Sequence, residues 1–272
     1  MTATKLIMRA VEKPWGLTSL PAPFTHLTDG GKRIGEIWFE MPDESQPELL
    51  VKYLFTSERL SIQVHPDDRA AKAAGHKRGK DEAWVVLDAK PDSTIALGTV
   101  AKVSRKELYQ SALDGRIEQL MHWQPVKAGD VIYSPAGTVH AIGAGLTILE
   151  VQQNVDVTYR LYDYGRPRKL HLEEGIAVSI PEPFEVPPLP LQNDENVIWT
   201  IEGRKFTMTR FLGTVGMYGG IKRNLASWFI PLSGSGLICG QRFEAGECWL
   251  IKKSFELEDI GGADFIFVSA AH

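Results

Sequence analysis

Glycine and proline interrupt this chain at short intervals, and no other feature of the sequence restricts its fold as strongly. The 272 residues include 25 glycines and 16 prolines, and the runs between them are short, often alternating, and rich in Val, Ile, Leu, Phe and Trp. Runs of this kind fit strands of about four to eight residues, whereas helices need longer uninterrupted patterns. The sequence therefore predicts an all-β architecture with a few short helices.

The predicted strands are spread along the first two thirds of the chain. They are 34–41, 49–55, 60–64, 83–87, 94–97, 130–133 and 147–157. Helical patterns are sparse and cover 67–74 and 104–119. In the second helical pattern Ser104 and Glu107 have the spacing of a capping box, which favours a helix that begins there.

A cluster of prolines divides the sequence into two parts. Prolines recur from 181 to 190, and since proline cannot donate to a sheet ladder, we predict a linker at 181–192. Strand patterns return at 199–212, 227–231, 234–239, 247–251 and 264–269. Two related β-barrel halves, 1–180 and 193–272, are expected. The second contains no histidine before His272, so we expect it to hold no metal.

Charge and composition exclude several classes of function. The net charge is −4 and the sequence pI is about 6.0, without a basic run that could follow a phosphate backbone, so nucleic acid is not an expected partner. No apolar stretch has the length of a membrane span or a signal-peptide core, which predicts no membrane association. Cys239 and Cys248 do not form a CxxC motif and fit structural thiols in a reducing compartment. We therefore expect a cytoplasmic protein.

Histidine, carboxylate and amide side chains recur at spacings that suit a metal site. Gln63 and His65 lie two apart on a predicted strand and so share a face, and the same parity relates Lys80 and Glu82. His140 opens another apolar segment. Two imidazoles with oxygen ligands suit zinc or another first-row divalent ion. Each histidine by itself also fits a structural role, so the site is a hypothesis.

The segment that ends at Arg160 alternates between polar and apolar residues. Its even positions are Glu150, Gln152, Asn154, Asp156, Thr158 and Arg160. A half-exposed strand with one face in water has this pattern. A strand that directs acid, base and hydrogen-bonding groups into a barrel cavity has it too. The residues alone leave both interpretations open.

Several motifs together resemble the signature blocks of one enzyme family. The blocks are 13–16 (KPWG), 34–38 (IGEIW), 60–66 (LSIQVHP), 79–84 (GKDEAW), 136–141 (AGTVHA) and 151–165 (VQQNVDVTYRLYDYG). In this order they are similar to those of the type I phosphomannose isomerases. The resemblance extends over nearly the whole chain and is strongest from 58 to 171.

The resemblance implies a fold, a reaction and a set of site residues. It implies a short bacterial bicupin in which 1–180 is the metal-binding catalytic domain, with a helical insertion near 104–122, and 193–272 is structural. It implies interconversion of mannose 6-phosphate and fructose 6-phosphate through an enediol, with a small sugar phosphate as partner. One zinc ion per chain would be held by Gln63, His65, Glu82 and His140. Active-site roles would fall to Lys80, Glu150, Asp156 and Arg160.

The chemistry of isomerisation suggests how these residues divide the work. Glu150 is the preferred proton carrier, and Arg160 can stabilise a negative oxygen. Asp156 could assist ring opening, and Lys80 could bind an oxygen or the phosphate. The basic residues of 166–169 fit either phosphate binding or a solvated loop. The oligomeric state stays open.

Two other functions use a similar constellation. A non-catalytic cupin that binds sugars or regulates in response to a metabolite would need the fold without the chemistry, because a fold does not imply an activity. A metal-dependent cupin oxidase or dioxygenase would use the same ligands with iron. The acidic and basic groups that accompany the ligand set favour the isomerase.

Overall fold

The structure is a computed structural model that describes residues 3–28, 30–187, 189, 196–213, 217–219, 226–252, 255–258 and 262–271. Its strands are β1 (Ala3–Lys5), β2 (Ile7–Leu17), β3 (Ile34–Glu40), β4 (Leu49–Phe55), β5 (Ile62–Val64), β6 (Glu82–Ala89), β7 (Thr94–Thr99), β8 (Met121–Pro125), β9 (Val131–Ser134), β10 (His140–Ile142), β11 (Leu146–Gln153), β12 (Tyr159–Tyr162), β13 (Val197–Glu202), β14 (Phe206–Leu212), β15 (Met217–Gly219), β16 (Ser227–Ser233), β17 (Ser235–Ile238), β18 (Gln241–Glu244), β19 (Trp249–Ile251), β20 (Phe255–Glu258) and β21 (Asp264–Ala270). Its helices are α1 (Asp68–Ala73), α2 (Arg105–Asp114), α3 (Ile117–Leu120) and α4 (Leu172–Val178), with a 3-10 turn at Thr25–Thr28.

Antiparallel sheets form two pairs. The first pair has strand orders β2-β3-β4-β11-β6-β9 and β12-β5-β10-β7-β8, and the second has β1-β19-β16-β21-β14-β13 and β15-β20-β17-β18. The helices α2, α3 and α4 cover the outer face of the five-stranded sheet. The predicted all-β class with a few short helices is confirmed, in a cupin-type arrangement.

A continuous apolar layer joins the two six-stranded sheets. Val51 and Leu149 of the first sheet belong to the same buried cluster as Trp228, Ile230 and Ile266 of the second. Because side chains alternate across a strand, the neighbouring positions of β4 and β11 point the other way, into the first barrel. That six-stranded sheet is thus covered on both faces, so polar side chains on its inner face are enclosed.

The amino-terminal strand β1 crosses from one half to the other. It pairs with β19, with Ala3 opposite Ile251, and so belongs to the second pair of sheets.

The division of the chain at 181–192 stays a prediction, and residues 188 and 190–192 of the proposed linker lie outside the described residues. Among the described residues, no helix has the length and apolarity that a membrane span requires.

The predicted strand 147–157 ends early, and the single polar face that it implied is wrong. β11 stops at Gln153, and β12 starts only at Tyr159. Polar side chains capture the backbone between them, since Gln152 Nε2 donates to the Val155 carbonyl at 3.0 Å and Asn154 Nδ2 donates to the Pro47 carbonyl at 3.0 Å. Side chains that bond locally in this way compete with a continuing ladder.

Replacing a leucine in the layer between the halves should destabilise the fold strongly. Leu149 is fully buried there, and Leu149→Ala should lower the free energy of unfolding by about 2–5 kcal/mol through lost burial and a cavity. The matched control is Leu113→Ala, whose side chain is 57% exposed and should change stability by about 0.5 kcal/mol or less. Chemical denaturation of both variants measures the difference, and equal losses would contradict the packing described.

Candidate active site

Two histidines and a glutamate converge inside the first barrel. His65 follows β5, His140 begins β10 and Glu82 begins β6, and their ligand atoms all lie within 4.8 Å of one another. Glu82 Oε1 is 3.2 Å from His65 Nε2, and Glu82 Oε2 is 3.5 Å from His140 Nε2. All three side chains are buried. Strands from both sheets of the barrel thus bring three potential metal ligands to one point.

Backbone carbonyls orient both imidazoles. His65 Nδ1 lies 2.9 Å from the Val157 carbonyl oxygen, and His140 Nδ1 lies 2.9 Å from that of Thr138. A carbonyl only accepts, so each Nδ1 carries the proton and each Nε2 keeps a lone pair. Burial, with the positive charge of Lys80, lowers the pKa of His65 to about 3, and burial lowers that of His140. Both rings are therefore neutral, as metal ligands must be.

The carboxylate of Glu82 stays ionised although it is buried. Burial acts to raise its pKa, but the positive charge of Lys80, the largest opposing influence, helps to hold the pKa well below its ordinary value. Lys80 Nζ lies 2.7 Å from Oε1, yet neither oxygen accepts a well-directed hydrogen bond. Buried polar atoms without partners are uncommon. Two oriented Nε2 lone pairs beside such a carboxylate fit a divalent cation.

Gln63, the fourth predicted ligand, lies beside this cluster. It pairs with His140 across β5 and β10, and its Nε2 is 3.3 Å from His140 Nε2. Its Oε1 accepts a hydrogen bond from Ser61 Oγ at 3.1 Å. A half-turn of the amide exchanges the two atoms and presents the oxygen to the cluster.

A row of charged and aromatic residues crosses the opposite sheet. The β-ladder places Trp38, Lys52, Glu150 and Trp84 side by side on β3, β4, β11 and β6. Trp84 Nε1 donates to Glu150 Oε2 at 3.0 Å, and Lys52 Nζ lies 3.4 Å from Glu150 Oε1. Burial, together with the charge of Glu82, raises the pKa of Glu150. A carboxyl group with a raised pKa is better matched to proton transfer near neutral pH.

Lys52 is a buried charged residue at the candidate site that was not predicted from the sequence. Its Nζ lies 4.5 Å from the Trp38 ring centroid, and only 7% of its side chain is exposed. Burial acts to lower its pKa, but the negative charges of Glu150 and Glu36 outweigh burial and raise it. The signal in the sequence was a single lysine within the otherwise apolar run LLVKYLF.

The four residues predicted to be catalytic line one cavity. Its lining includes Gln63, Lys80, Glu82, Glu150, Asp156 and Arg160, together with Lys52 and Arg168. Asp156 is an exposed loop residue, and Lys80 precedes β6. The side chains therefore come from strands of both sheets and from a loop. The predicted placement of Asp156 and Arg160 on one strand is wrong, because Asp156 lies between β11 and β12.

Arg160 and Arg168 are held differently in this cavity. Arg160 lies opposite Gln63 in the ladder; its Nη1 donates to the Lys169 carbonyl at 2.8 Å, and its buried Nε has no hydrogen-bond partner. Arg168 donates two hydrogen bonds of 2.6 Å to Asp163. Arg160 therefore keeps more unused hydrogen-bond donors than Arg168.

A larger cavity of about 570 Å³ lies next to this one. It shares Trp38 and Asp156 with the first cavity and extends past 44–47 and 75–77. None of the residues in the metal-ligand cluster lines it. Because the titratable groups converge in the smaller cavity, we assign the candidate chemistry there.

Comparison with known proteins points to one group of enzymes. The mannose-6-phosphate isomerase of Streptococcus mutans is 43% identical over 159 residues, which cover 55% of this chain and 50% of that protein. The chain thus spans about half the length of the curated relatives that it matches in sequence. No model of a known protein family matches it.

Solved structures extend the similarity over the whole chain. The mannose 6-phosphate isomerase from Bacillus subtilis is 25% identical, with a TM-score of 0.83 over 98% of this chain and 99% of that one. A zinc-bound mannose 6-phosphate isomerase, 15% identical, superimposes with a TM-score of 0.70 over 100% of both chains. At that identity the second likeness concerns the fold.

The buried neutral histidines should make the metal-free protein sensitive to acid. The pKa of a histidine in the unfolded chain is about 6.5. Below that pH, unfolding allows His65 and His140 to bind protons that they do not bind in the native state. For His65, the stability present above that pH is therefore lost as the pH falls toward 3, at roughly 1.4 kcal/mol per pH unit, and His140 adds a loss of the same sign. In chelator-treated protein, His65→Asn should flatten this dependence, because asparagine does not titrate.

Urea unfolding at pH 7, 6 and 5 measures the dependence. The control is His122→Asn, since His122 is exposed, and it should retain the wild-type slope. Identical slopes for wild type and His65→Asn would contradict the assignment of a buried, neutral His65.

Proposed function

We propose that this chain is a metal-dependent aldose–ketose isomerase that interconverts mannose 6-phosphate and fructose 6-phosphate. One observation carries the proposal: the buried His65, Glu82 and His140 cluster lies at the cavity that also contains the carboxyl of Glu150 and the guanidinium of Arg160. An isomerisation through an enediol needs a proton carrier and positive charge near the developing oxyanion, and this cavity offers a carboxyl group, a fixed cation and a candidate metal site. The names of the relatives support the choice of substrate.

The proposed metal ligands are Gln63, His65, Glu82 and His140, and they would hold one zinc ion. Two neutral imidazoles, an ionised carboxylate and an amide oxygen form a mixed set that suits zinc and leaves a position for another ligand. The zinc-bound relative supports this choice of ion. When bound, the ion would act as a Lewis acid toward substrate oxygens without any redox change.

Glu150 is the proposed base that moves the proton between C2 and C1. Burial and the charge of Glu82 raise its pKa, which makes it a better match for accepting and returning a proton. Trp84 Nε1 fixes the position of one carboxyl oxygen, and the Lys52 ammonium faces the other. Lys52 would therefore stabilise the ionised form of Glu150 that removes the proton, and it adds positive charge near the enediol.

The remaining predicted residues have roles consistent with their positions. The half-buried guanidinium of Arg160 would stabilise negative charge on the enediol oxygens. The ammonium of Lys80 lies against the carboxylate of Glu82 and can donate to a sugar oxygen. Asp156, exposed at the cavity mouth, would assist ring opening. Arg168 would add positive charge for the phosphate group at the cavity.

We further infer a cytoplasmic protein in which residues 1–180 carry the chemistry. Cys239 and Cys248 are free thiols, as in a reducing compartment, and burial raises the pKa of Cys248 well above its ordinary value, which makes it unreactive. The ligand cluster and the predicted catalytic residues all come from the first 180 residues.

A coupled assay that follows fructose 6-phosphate formation from mannose 6-phosphate tests the proposed function. We expect turnover by the purified protein, loss of turnover after exhaustive chelation, and recovery with zinc or, in part, with cobalt. Elemental analysis should find about one divalent ion per chain. Sugar-phosphate binding without turnover would instead indicate a non-catalytic cupin, and unchanged turnover after complete metal removal would refute the metal's role.

Single substitutions locate the metal site. His65→Ala and His140→Ala should each lose metal and turnover while remaining folded, because each removes one of the converging nitrogens. His122→Ala is the matched control and should retain both, since His122 is exposed and outside the cavity. If all three variants keep their metal, the ligand assignment is wrong.

Arg160→Lys should separate a catalytic arginine from a structural one. Lysine keeps the charge but loses the planar pair of donors, so kcat should fall by roughly a hundredfold while metal content stays at the wild-type level. The control is Arg59→Lys, whose half-exposed side chain pairs with Glu118 outside the cavity and should leave kcat unchanged. A wild-type kcat for Arg160→Lys would exclude its catalytic role.

A further inference from the structure

The turn between β13 and β14, residues 203–205 of the second half, rests on the first barrel. Its Gly203 lies directly against Tyr133 of β9, where an added Cβ would be 1.9 Å from Cε2 of the ring. Only glycine permits this approach. The ring of Phe206, which follows the turn, lies 5.3 Å from that of Tyr133. The second half therefore has a close contact at the strand that pairs with β6.

The contact leads to the buried carboxylate of Asp81. Asp81 Oδ2 accepts a hydrogen bond from Tyr133 OH at 2.7 Å, and Oδ1 accepts one from the Ala136 amide at 3.1 Å. From the turn, Arg204 Nε lies 3.4 Å from Oδ2, and Arg204 Nη2 lies 3.5 Å from Oδ1. A carboxylate with donors on both oxygens from two separate segments, 133–136 and the turn, has little freedom to move.

Lys205 reaches the same segment by a second route. Its Nζ donates to Asp68 Oδ2 at 2.6 Å, and Asp68 Oδ1 accepts from the Gly79 amide at 2.7 Å. Gln153 Nε2 also donates to Asp68 Oδ1, while Gln153 Oε1 accepts from the Asp81 amide at 3.1 Å. The backbone amides of Gly79 and Asp81, together with the side chain of Asp81, are thereby connected to the turn.

These hydrogen bonds hold the backbone segment 79–82, which carries Lys80 and Glu82 of the candidate site. Asp81 stands between Lys80 and Glu82, so its backbone position sets where the ammonium and the carboxylate enter the cavity. The contacts with Tyr133 lie toward the layer between the halves, because Tyr133 packs against that layer and Glu82 points into the barrel. Active-site groups need positions defined to about 0.5 Å, and residues behind the ligands supply that precision.

We propose that the turn 203–205 is a brace through which the second half positions Lys80 and Glu82. Asp81, Arg204 and Lys205 are then positioning residues, and the second half contributes to the site although none of the proposed metal ligands belongs to it. The catalytic consequence rests on the proposed isomerase function. The effect on the ligand geometry at Glu82 does not depend on it.

The test compares Asp81→Asn and Arg204→Ala with Arg242→Ala. Arg242 is a matched control, because it also belongs to the second half, is 72% exposed and pairs with Glu244 at 3.4 Å, whereas Arg204 is 61% exposed and pairs with Asp81 at 3.4 Å. The measurements are kcat and KM for mannose 6-phosphate, zinc retention during dialysis, the visible spectrum of cobalt-loaded protein, and the thermal midpoint.

Loss of the brace should change chemistry and metal geometry together. We expect Asp81→Asn to lower kcat or zinc affinity about tenfold to a hundredfold, the range for residues that orient metal ligands, with an altered cobalt spectrum. KM should change by a smaller factor than kcat, since Arg160 and Arg168, the other proposed substrate contacts at the cavity, lie outside the braced segment. Arg204→Ala should change the same quantities in the same direction by a smaller factor, and Arg242→Ala should match the wild type.

Several outcomes would overturn the brace. If Asp81→Asn and Arg204→Ala lower only the thermal midpoint, while kcat, zinc retention and cobalt spectrum stay at wild-type values, the turn serves stability alone. If Asp81→Asn does not fold, Tyr133→Phe removes one hydroxyl from the same network and carries the same expectation. Should the wild-type protein lack isomerase activity, the proposed function fails, and zinc retention and the cobalt spectrum still decide the brace.

Discussion

The buried carboxylate of Glu82 is the group on which the rest of the site depends. An ionised carboxylate inside a barrel is costly unless positive charge or hydrogen bonds compensate for lost hydration. Here the ammonium of Lys80 lies 2.7 Å from one oxygen, while the two Nε2 lone pairs of His65 and His140 face the carboxylate and leave room for a further positive charge, such as a metal ion. The charge of Glu82 in turn contributes to the raised pKa of Glu150. Electrostatics thus connects the candidate metal site to the candidate base.

The charged interior of the first barrel is possible because the second half covers the outer face of its six-stranded sheet. Its outer face packs against the second half, so hydrophobic burial on that side stabilises strands whose inner face carries Lys52 and Glu150. If the first barrel stood alone, the outer face of this sheet would contact water. Strands that carry Lys52 and Glu150 on their inner face would then need water-exposed residues on their outer face as well. The second half therefore supports the polar interior without adding a ligand.

Much of the fold followed from local patterns. Strand β4 was predicted with its observed bounds, and the cap at Ser104 accepts a hydrogen bond from the Glu107 amide as the capping-box spacing required. Short runs rich in apolar residues between glycines and prolines predicted strands such as β4, because their side chains must be buried. Alternation failed after Gln153, where side-chain amides bond to nearby carbonyls and end the strand. It also missed Lys52, because an apolar run around one lysine does not reveal what lies opposite.

The sequence by itself determined the class of fold and the residue types of the site, since glycine and proline spacing limits strand length and the ligand residues stand in recognisable motifs. Only the tertiary structure decided which of these residues meet. Glu82 and His140 come from different sheets, and Asp156 reaches the cavity from a loop. The second half approaches Asp81 across more than a hundred residues of chain, at Arg204. Periodicity describes one strand at a time, whereas distances between strands depend on how sheets pair and pack, which no local pattern encodes.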